Sequence, residues 1–403
     1  MFMESGKLWF KRNRILFGIA LVVLVLLLVG TSAFGCAQTG AEARGWSGIV
    51  VADDTLFLGS MTGKIVALNT ASGARVWPQD FALEGQQTTG GFGCAPAAQP
   101  VAVYGTPAVA GDLVYFGGYN GVVHAIRADS GVLQWAYPRQ GNLEPIVGGP
   151  VVSQGKVYIA AADRKDGKIL WKLYALDAET GVSQWEFQTE DKIWVTPAVK
   201  DGTVYIGSFD NKLYAVNAAD GRQKWAPFEV GGAIVTTPLV DGDTVYFGSF
   251  DRHLYAVNTA DGSLKWKSEF IADKWFWVAP VVSNNKLYAP ALDGKVYIVD
   301  AQTGRKIAEP DLGAPISSSP VIVGERVVVA TETGVLYALD TNSNLASIMA
   351  TLKTSNDKEE QINAPLAAGD GVIYVHTQTE NHETVYALNA ETGQTLWSLP
   401  LDN

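Results

Sequence analysis

The sequence repeats one unit eight times, and this repetition limits the fold more than any other feature. The run TPAVKDGTVYIGSFDNKLYAVNAADGRQKW, Thr196 to Trp225, returns as TPLVDGDTVYFGSFDRHLYAVNTADGSLKW, Thr237 to Trp266, an offset of 41 residues. Looser copies fill residues 46–403. The mean repeat length is then about 45 residues, which is typical of the blades of a propeller.

Each copy predicts four antiparallel strands. A short apolar segment follows a proline, an alternating segment such as TVYIGS comes next, and a turn leads into a third segment such as LYAVN. The turn often holds Asn-Gly or Asp-Gly, as at Asn120-Gly121 and Asp293-Gly294, which favours a tight hairpin. The fourth segment starts at the tryptophan. The sequence therefore predicts an all-β fold, an eight-bladed β-propeller, in which neighbouring blades bury both faces of each four-stranded sheet.

A second pattern, A-x-[DN]-x-x-[TDS]-G-x-x-x-W, closes five of the copies, as in AVNAADGRQKW and AVNTADGSLKW. It resembles the tryptophan-docking motif of the quinoprotein (PQQ-like) repeat propellers. In the seventh copy Asn344 replaces the turn glycine, and the sixth and seventh copies are expected to dock weakly because Ile307 and Ile348 stand in for tryptophan. The predicted structural docking residues are Trp77, Trp135, Trp185, Trp225, Trp266 and Trp397.

This resemblance implies two alternative functions. One branch of the family contains dehydrogenases that use pyrroloquinoline quinone (PQQ) with calcium to oxidise alcohols or sugars. The other is similar to the non-catalytic propeller lipoprotein of the outer-membrane β-barrel assembly machinery. The adjacent cysteine pair and the CxxCH segment of some dehydrogenases are missing from this sequence, which has only two cysteines.

We therefore expect a non-catalytic, extracytoplasmic, protein-binding scaffold of the cell envelope. Its partners would be envelope or membrane proteins, and the propeller itself would be a monomer. The alternative is a PQQ-dependent dehydrogenase-like enzyme or a small-ligand-sensing propeller. No GxSxG, HExxH or phosphate-binding glycine loop occurs, so the sequence assigns no catalytic, cofactor-binding or metal-binding residue. We accordingly expect no cofactor, and PQQ with calcium stays an open alternative.

Residues 1–35 form a predicted signal peptide or membrane anchor. The basic run KRNR precedes the uncharged segment Ile15 to Val29, which is long for a secretory signal and, with a few more residues, long enough to span a bilayer. Basic residues stay on the cytoplasmic side, so the remainder is expected outside. Ala33-Phe34-Gly35-Cys36 resembles a lipobox and suggests lipidation of Cys36; an uncleaved anchor and free secretion remain open. Residues 36–45 would be a linker, and 46–403 the propeller.

The part that follows the leader is strongly acidic. The whole chain has 30 basic and 41 acidic residues; without the four basic residues and the single acidic residue of the leader, 26 and 40 remain, a net charge of −14. Such a charge argues against nucleic acid as a partner and favours a neutral or basic protein surface. Cys94 is expected to be a lone thiol or, less readily, to form a disulfide with Cys36.

The partner surface is predicted on one face of the propeller. The loops before each first strand and the turns after each second strand share a face, and these segments hold the long insertions and the extra aromatic residues. Loops on a rigid scaffold commonly carry binding function, and tryptophan is enriched at interaction hot spots. The alternative is that these aromatic side chains pack inward as plugs. The predicted partner-binding residues are Trp171, Trp194, Trp275, Phe276 and Trp277.

Two groups of polar residues are predicted to be structural. His376, His382, Glu380 and Glu383 belong to the hairpin of the eighth copy, where a polar hairpin is a simpler reading than a metal site. The aspartates Asp210, Asp251 and Asp293 recur at equivalent turns and are predicted to be turn formers.

Overall fold

The repeating unit folds as a sheet of four consecutive strands, and the computed structural model describes residues 45–84, 101–354, 358–379 and 382–401. In blade 4 the alternating segment pairs with the next one so that Val204 faces Val216 and Ile206 faces Tyr214. Strand order in every sheet follows chain order, and every pairing is antiparallel. Each blade is thus a meander built from one sequence repeat.

The first four blades follow this plan. Blade 1 comprises β1 (Ile49–Ala52), β2 (Thr55–Gly59), β3 (Lys64–Asn69) and β4 (Phe81–Ala82). Blade 2 comprises β5 (Ala108–Ala110), β6 (Leu113–Gly117), β7 (Val123–Arg127) and β8 (Leu133–Tyr137). Blade 3 comprises β9 (Val151–Ser153), β10 (Lys156–Lys165), β11 (Lys168–Asp177) and β12 (Ser183–Gln188). Blade 4 comprises β13 (Ala198–Lys200), β14 (Thr203–Gly207), β15 (Lys212–Asn217) and β16 (Phe228–Glu229).

The other four blades repeat it. Blade 5 comprises β17 (Leu239–Asp241), β18 (Thr244–Gly248), β19 (Leu254–Asn258) and β20 (Leu264–Lys267). Blade 6 comprises β21 (Val281–Ser283), β22 (Lys286–Pro290), β23 (Val296–Asp300) and β24 (Lys306–Ala308). Blade 7 comprises β25 (Val321–Val323), β26 (Arg326–Ala330), β27 (Val335–Asp340) and β28 (Ala346–Thr351). Blade 8 comprises β29 (Ala367–Gly369), β30 (Val372–Thr379), β31 (His382–Asn389) and β32 (Thr395–Pro400).

The hydrophobic core lies between blades rather than inside one sheet. Side chains alternate across each strand, so both faces of a blade carry apolar residues and each face packs on a neighbour. Between blades 4 and 5, for example, Tyr205 and Trp225 pack with Val245 and Phe247. The described residues contain eight such clusters, one for each junction, including the junction of blade 8 with blade 1. The eight-bladed, four-stranded architecture predicted from the sequence is confirmed.

The tryptophans of the family motif join each blade to the next. The Trp225 ring lies against Gly262 in the blade 5 turn, where an added Cβ would be 2.7 Å from the ring. Its indole nitrogen donates to the carbonyl of Thr259 in the same turn, at 3.3 Å. Gly262 also has φ +71°, a conformation that favours glycine. The same contact pairs Trp77 with Gly131, Trp135 with Gly181, Trp185 with Gly221, Trp266 with Gly304, and Trp397 with Gly73.

The junction of blades 6 and 7 uses a different contact. In the six blades with a docking tryptophan, this residue stands four positions after the turn glycine. In blade 6 that position is Ala308, which pairs with Ile298. The expectation that Ile307 occupies the tryptophan position is wrong, because Ile307 is the extra residue of the bulge. Lys286 donates instead to the carbonyl of Thr341, at 2.7 Å, and to the side chain of Asn344, at 2.8 Å. A cation and an asparagine thus replace the tryptophan and glycine together.

Blade 7 departs from the pattern through a displaced bulge. Its outer strand pairs Ser347 with Ala338, and Met349 is the extra residue between Ile348 and Ala350. The Met349 backbone lies against Gly393 of blade 8, and Ile348 turns outward with 66% of its surface exposed.

Candidate functional site

One residue from each blade borders a cavity on the propeller axis. The segment that enters each first strand passes this axis, and the equivalent residue of every segment lines the cavity. The cavity has a volume of about 300 Å³. The eight residues are Trp46, Tyr104, Val147, Trp194, Val235, Trp277, Ser317 and Asn363. The face that carries these segments and the turns after each second strand is called the upper face below.

Aromatic side chains from blades 4, 5 and 6 form a continuous cluster beside this cavity. The rings of Trp194 and Phe209 meet edge to face with centroids 4.8 Å apart, and Phe209 lies 6.2 Å from Phe250. Phe250 stacks on Trp275 at 4.7 Å and on Trp277 at 5.9 Å. These five residues are called the aromatic rim. Trp275 and Trp194 are 48% and 38% exposed, so the rim offers apolar surface to solvent.

Phe276 does not belong to this surface. Strand-like alternation in the segment 274–278 turns Trp275 and Trp277 to the upper face and Phe276 to the core, where it is 1% exposed. It packs on Tyr297 with ring centroids 5.6 Å apart. The partner surface proposed below therefore omits Phe276, because a partner cannot reach a buried ring.

Trp171 lies on a separate element of the upper face. It belongs to the long hairpin of β10 and β11 in blade 3, where it pairs with Ala162. Its carbonyl accepts a hydrogen bond from the amide of Thr189, at 3.0 Å. The neighbouring Lys172 contacts the carboxylates of Asp163 and Glu186 at 2.7 and 2.8 Å. The structure brings Trp194, Trp275 and Trp277 together, and it places Trp171 on an arm of its own.

The three predicted turn formers have a second role. They also position the segments that enter blades 4, 5 and 6, two of which carry tryptophans of the rim. In blade 5 the carboxylate of Asp251 accepts hydrogen bonds from the Tyr255 hydroxyl at 2.6 Å and from the Gly231 amide at 3.0 Å. Blade 4 repeats this with Asp210, Tyr214 and Glu190, and blade 6 with Asp293, Tyr297 and Asp273. The D-x-x-x-Y spacing, present in all three repeats, is the sequence signal that could have revealed this role.

The surroundings of these three tyrosines keep their hydroxyls protonated. Burial raises the pKa of Tyr214, Tyr255 and Tyr297, and the hydrogen bond to the neighbouring carboxylate raises the pKa further. Each hydroxyl therefore stays protonated and keeps donating to its aspartate. Each aspartate thus links a tyrosine of the third strand to the backbone of the segment that enters the blade.

Backbone hydrogen bonds fix the rim a second time. The amide of Phe209 donates to the carbonyl of Lys192, and the amide of Phe250 to that of Ala233, both at 2.9 Å. The amide of Leu292 donates to the carbonyl of Trp275 at 3.1 Å. Each turn after a second strand is thus tied to the segment that enters the same blade, so the aromatic rim is preorganised.

Charged groups of both signs surround the rim. Lys192 lies 5.6 Å from the centre of the Trp194 ring. A groove of about 560 Å³ beside Trp275 is lined by Arg252, Asp273, Lys274 and Glu332, together with Leu292 and Pro315. This surface can hold a polypeptide with an apolar centre and a charged border, the usual layout of a protein interface.

The polar hairpin of blade 8 forms a buried pair. The Nε2 atom of His376 lies 2.7 Å from Glu383 Oε1, and its Nδ1 atom lies 2.8 Å from the carbonyl of Ser47 in blade 1. Glu383 also accepts the amide of Met61 at 2.9 Å. Within the described ranges no three His, Cys, Asp or Glu side chains are placed to hold a metal ion. Cys36, Cys94 and Glu380 lie outside the described residues, as does the predicted leader 1–35.

A site for PQQ and calcium requires oxygen ligands for the ion and cationic side chains for the quinone carboxylates. Calcium takes about six to eight oxygen ligands. The described cavity and its mouth supply the Glu332 carboxylate, the Asn363 amide and serine and threonine hydroxyls, and Ser317 already donates to Asn363 at 3.0 Å. Among the described residues, no lysine or arginine lines the cavity or its mouth to pair with the carboxylates of the quinone, and Arg252 and Lys274 line the adjoining groove instead. The cavity residues do not fit the cofactor.

A family model supports this architecture along the chain. The model described as outer membrane protein assembly factor BamB (PQQ_2) matches residues 37–173 and 172–399. A BamB from Yersinia pestis is 22% identical over 301 residues, which cover 72% of this chain and 70% of that protein. The serine/threonine-protein kinase AfsK of Streptomyces coelicolor is 35% identical over 265 residues, but these cover 55% of this chain and 32% of the kinase. The chain thus spans a minor part of some curated relatives.

Solved structures share the fold. BamB from Moraxella catarrhalis superposes with a TM-score of 0.63 at 18% identity, covering 82% of this chain and 91% of the other. A europium-containing methanol dehydrogenase gives a TM-score of 0.65 at 14% identity, covering 84% and 83%. At such identities the likeness concerns the propeller alone. Among the residues that the structure describes, no helix has the length and apolar character needed to cross a bilayer.

Proposed function

Because the chain belongs to the family of the outer membrane protein assembly factor BamB, we propose that it is a non-catalytic scaffold that binds proteins of the cell envelope. The observation that carries this proposal is the aromatic rim, a preorganised apolar surface on three adjacent blades. Large rigid aromatic side chains bury much area with little loss of conformational freedom on binding. The acidic body favours a partner whose contact surface is neutral or basic.

We propose an extracytoplasmic location for the propeller. The support is the basic run before the apolar segment Ile15 to Val29, followed by Cys36 as the candidate for lipidation. An uncleaved N-terminal helix would hold the propeller on the same side of the membrane. The described chain starts at Gly45, beside Trp46 of the axial cavity. A linker from Cys36 would reach at most about 30 Å, so the upper face would lie near the membrane.

The rim proposal is tested by removing its exposed rings. Trp194→Ser and Trp275→Ser, made together in the full chain, should abolish cross-linking to envelope partners and leave the melting temperature nearly unchanged. Trp171→Ser tests the blade 3 arm separately. Leu264→Ser, which also removes an exposed apolar side chain, is the matched control and should keep the cross-links. If the rim variant unfolds, these rings are part of the core. Asp201 and Asp241 lie where the first strand of a blade turns into the second, on the opposite face. If changing either aspartate abolishes the cross-links, the partner binds that face.

The location has its own test. Palmitate labelling should mark the wild-type chain and not Cys36→Ser. A membrane-bound but unlabelled wild type would indicate an uncleaved helix, and cytosolic protein would refute the placement. The scaffold role is tested against the enzymatic alternative by adding PQQ and calcium to the purified chain; dye-linked oxidation of an alcohol or sugar would contradict a purely structural role.

A further inference from the structure

The outer strand of blade 7 differs from the other seven outer strands in having no protection against pairing with a further strand. The outer strand is the fourth strand of each blade and one of the two edges of its sheet, and an edge exposes unpaired backbone groups. Proteins usually guard such edges with short length, charge or proline. Blades 1, 4 and 6 have edges of two or three residues, β4, β16 and β24. The edges of blades 3 and 5 carry charge, and those of blades 2 and 8 adjoin or contain Pro138 and Pro400.

Strand β28 has none of these features. It spans six residues, and the sequence from Thr341 to Leu352 contains neither a charged residue nor a proline. Leu345 and Ile348, 71% and 66% exposed, are the two most exposed large apolar side chains among the described residues. The displaced bulge at Met349 accounts for the exposure of Ile348, because Ser347 and not Ile348 pairs with Ala338, the partner position of the docking tryptophan in other blades.

We propose that β28 is a docking edge for an extended strand of another protein, which would join blade 7 as a fifth strand. Backbone pairing would supply the affinity, and apolar side chains of the added strand would cover Leu345 and Ile348. The partner segment is neutral or basic, because the propeller has a net charge of −14 and an acidic segment would be repelled. A second copy carries the same net charge and is disfavoured for that reason.

The probe is a ten-residue peptide in which valine alternates with threonine and lysine, titrated against the full chain in detergent. The peptide should bind and slow amide hydrogen exchange in residues 345–351. Ile348→Lys adds a charge where none is present and should weaken binding at least about tenfold. Leu264→Lys places the same charge on the outer strand of blade 5 and should leave binding unchanged. Both side chains are exposed, so both variants should fold.

Three results would overturn the proposal. The peptide fails to bind, it binds Ile348→Lys as well as wild type, or the unliganded chain forms a dimer that Ile348→Lys dissolves, which would make the edge a contact between copies. The outcome is independent of the rim proposal: Trp194→Ser with Trp275→Ser should bind the peptide normally. If the peptide instead displaced the envelope partner that is cross-linked to the wild-type rim, the peptide and that partner would share one binding surface.

Discussion

At the residue scale, each docking tryptophan joins two blades through one ring and one hydrogen bond. Trp225 is 7% exposed and lies against Gly262 of the next blade. Trp225→Ala is expected to lower the free energy of unfolding by about 3–5 kcal/mol, the usual loss for a large buried aromatic ring. Ile348→Ala is the control and should cost well under about 1 kcal/mol, because that side chain is exposed. Denaturant titration measures both, and equal losses would contradict a docking role.

A second residue, His124, makes stability depend on pH. It is buried against Phe116 and Phe81, and burial lowers its pKa to about 4. The unfolded chain therefore binds a proton between about pH 6.5 and pH 4 that the folded chain does not, so stability falls as the pH drops through this range. His124→Phe keeps the stacking and should remove up to about 3 kcal/mol of this loss at pH 4. Identical pH dependence of unfolding in wild type and variant would show that His124 does not contribute.

At the element scale, the junction of blades 6 and 7 depends on a lysine instead of an indole ring. Lys286→Met should lower the free energy of unfolding by about 1–2 kcal/mol, because the Thr341 carbonyl and the Asn344 side chain lose their shared donor. Lys306→Met removes a lysine from an exposed pair with Glu309 on the same blade and should cost less than about 1 kcal/mol. If the two variants unfold alike in denaturant, Lys286 is only a surface charge.

The same junctions should be the most dynamic. Without a buried tryptophan, the outer strands of blades 6 and 7 have less apolar contact to the next blade, so they should open more easily. Amide hydrogen exchange is expected to be faster in β24 and β28 than in β20 and β32. Greatest protection in blades 6 and 7 would contradict this prediction.

At the scale of the whole molecule, the ring closes without a shared sheet. Blade 8 and blade 1 each contain their own four strands. They meet through a hydrophobic cluster and through Trp397 on Gly73. The blade 8 pair of His376 and Glu383 adds contacts to the Ser47 carbonyl and the Met61 amide of blade 1. His376 and Glu383 are 1% and 2% exposed. The junction that closes the ring thus contains a buried polar pair beside its apolar cluster.

This pair should couple strongly. His376→Leu leaves the Glu383 carboxylate buried without its imidazole partner and is expected to cost about 3–5 kcal/mol. The double variant, with Glu383→Leu as well, also removes the carboxylate that has lost its imidazole partner and should be less destabilised than His376→Leu alone. A double-variant cycle in denaturant tests this; additive losses would mean that the two side chains stabilise the ring independently.

The eight-bladed fold could be predicted from the amino-acid sequence. Eight copies of one alternating pattern, each with a hairpin turn, and with a turn glycine in all but the seventh, where Asn344 replaces it, favour a ring in which every sheet is covered on both faces. The position of six docking tryptophans followed from the spacing to the glycine, because that spacing is local. The same spacing from Gly304 identifies Ala308 in blade 6, so the correct residue could have been predicted from the sequence.

The contacts among the aromatic residues could not be predicted from the repeats. Trp194, Phe209, Phe250 and Trp275 come from three blades, and their contact depends on how neighbouring blades are placed around the axis, which no single repeat encodes. The split between Trp275, outside, and Phe276, in the core, likewise depends on the blade against which the segment lies. The Asp251 carboxylate accepts a hydrogen bond from the amide of Gly231, twenty residues earlier in the chain. This contact forms only when the segment that contains Gly231 folds over blade 5. Long-range packing supplies these relationships, whereas local periodicity supplies the strands.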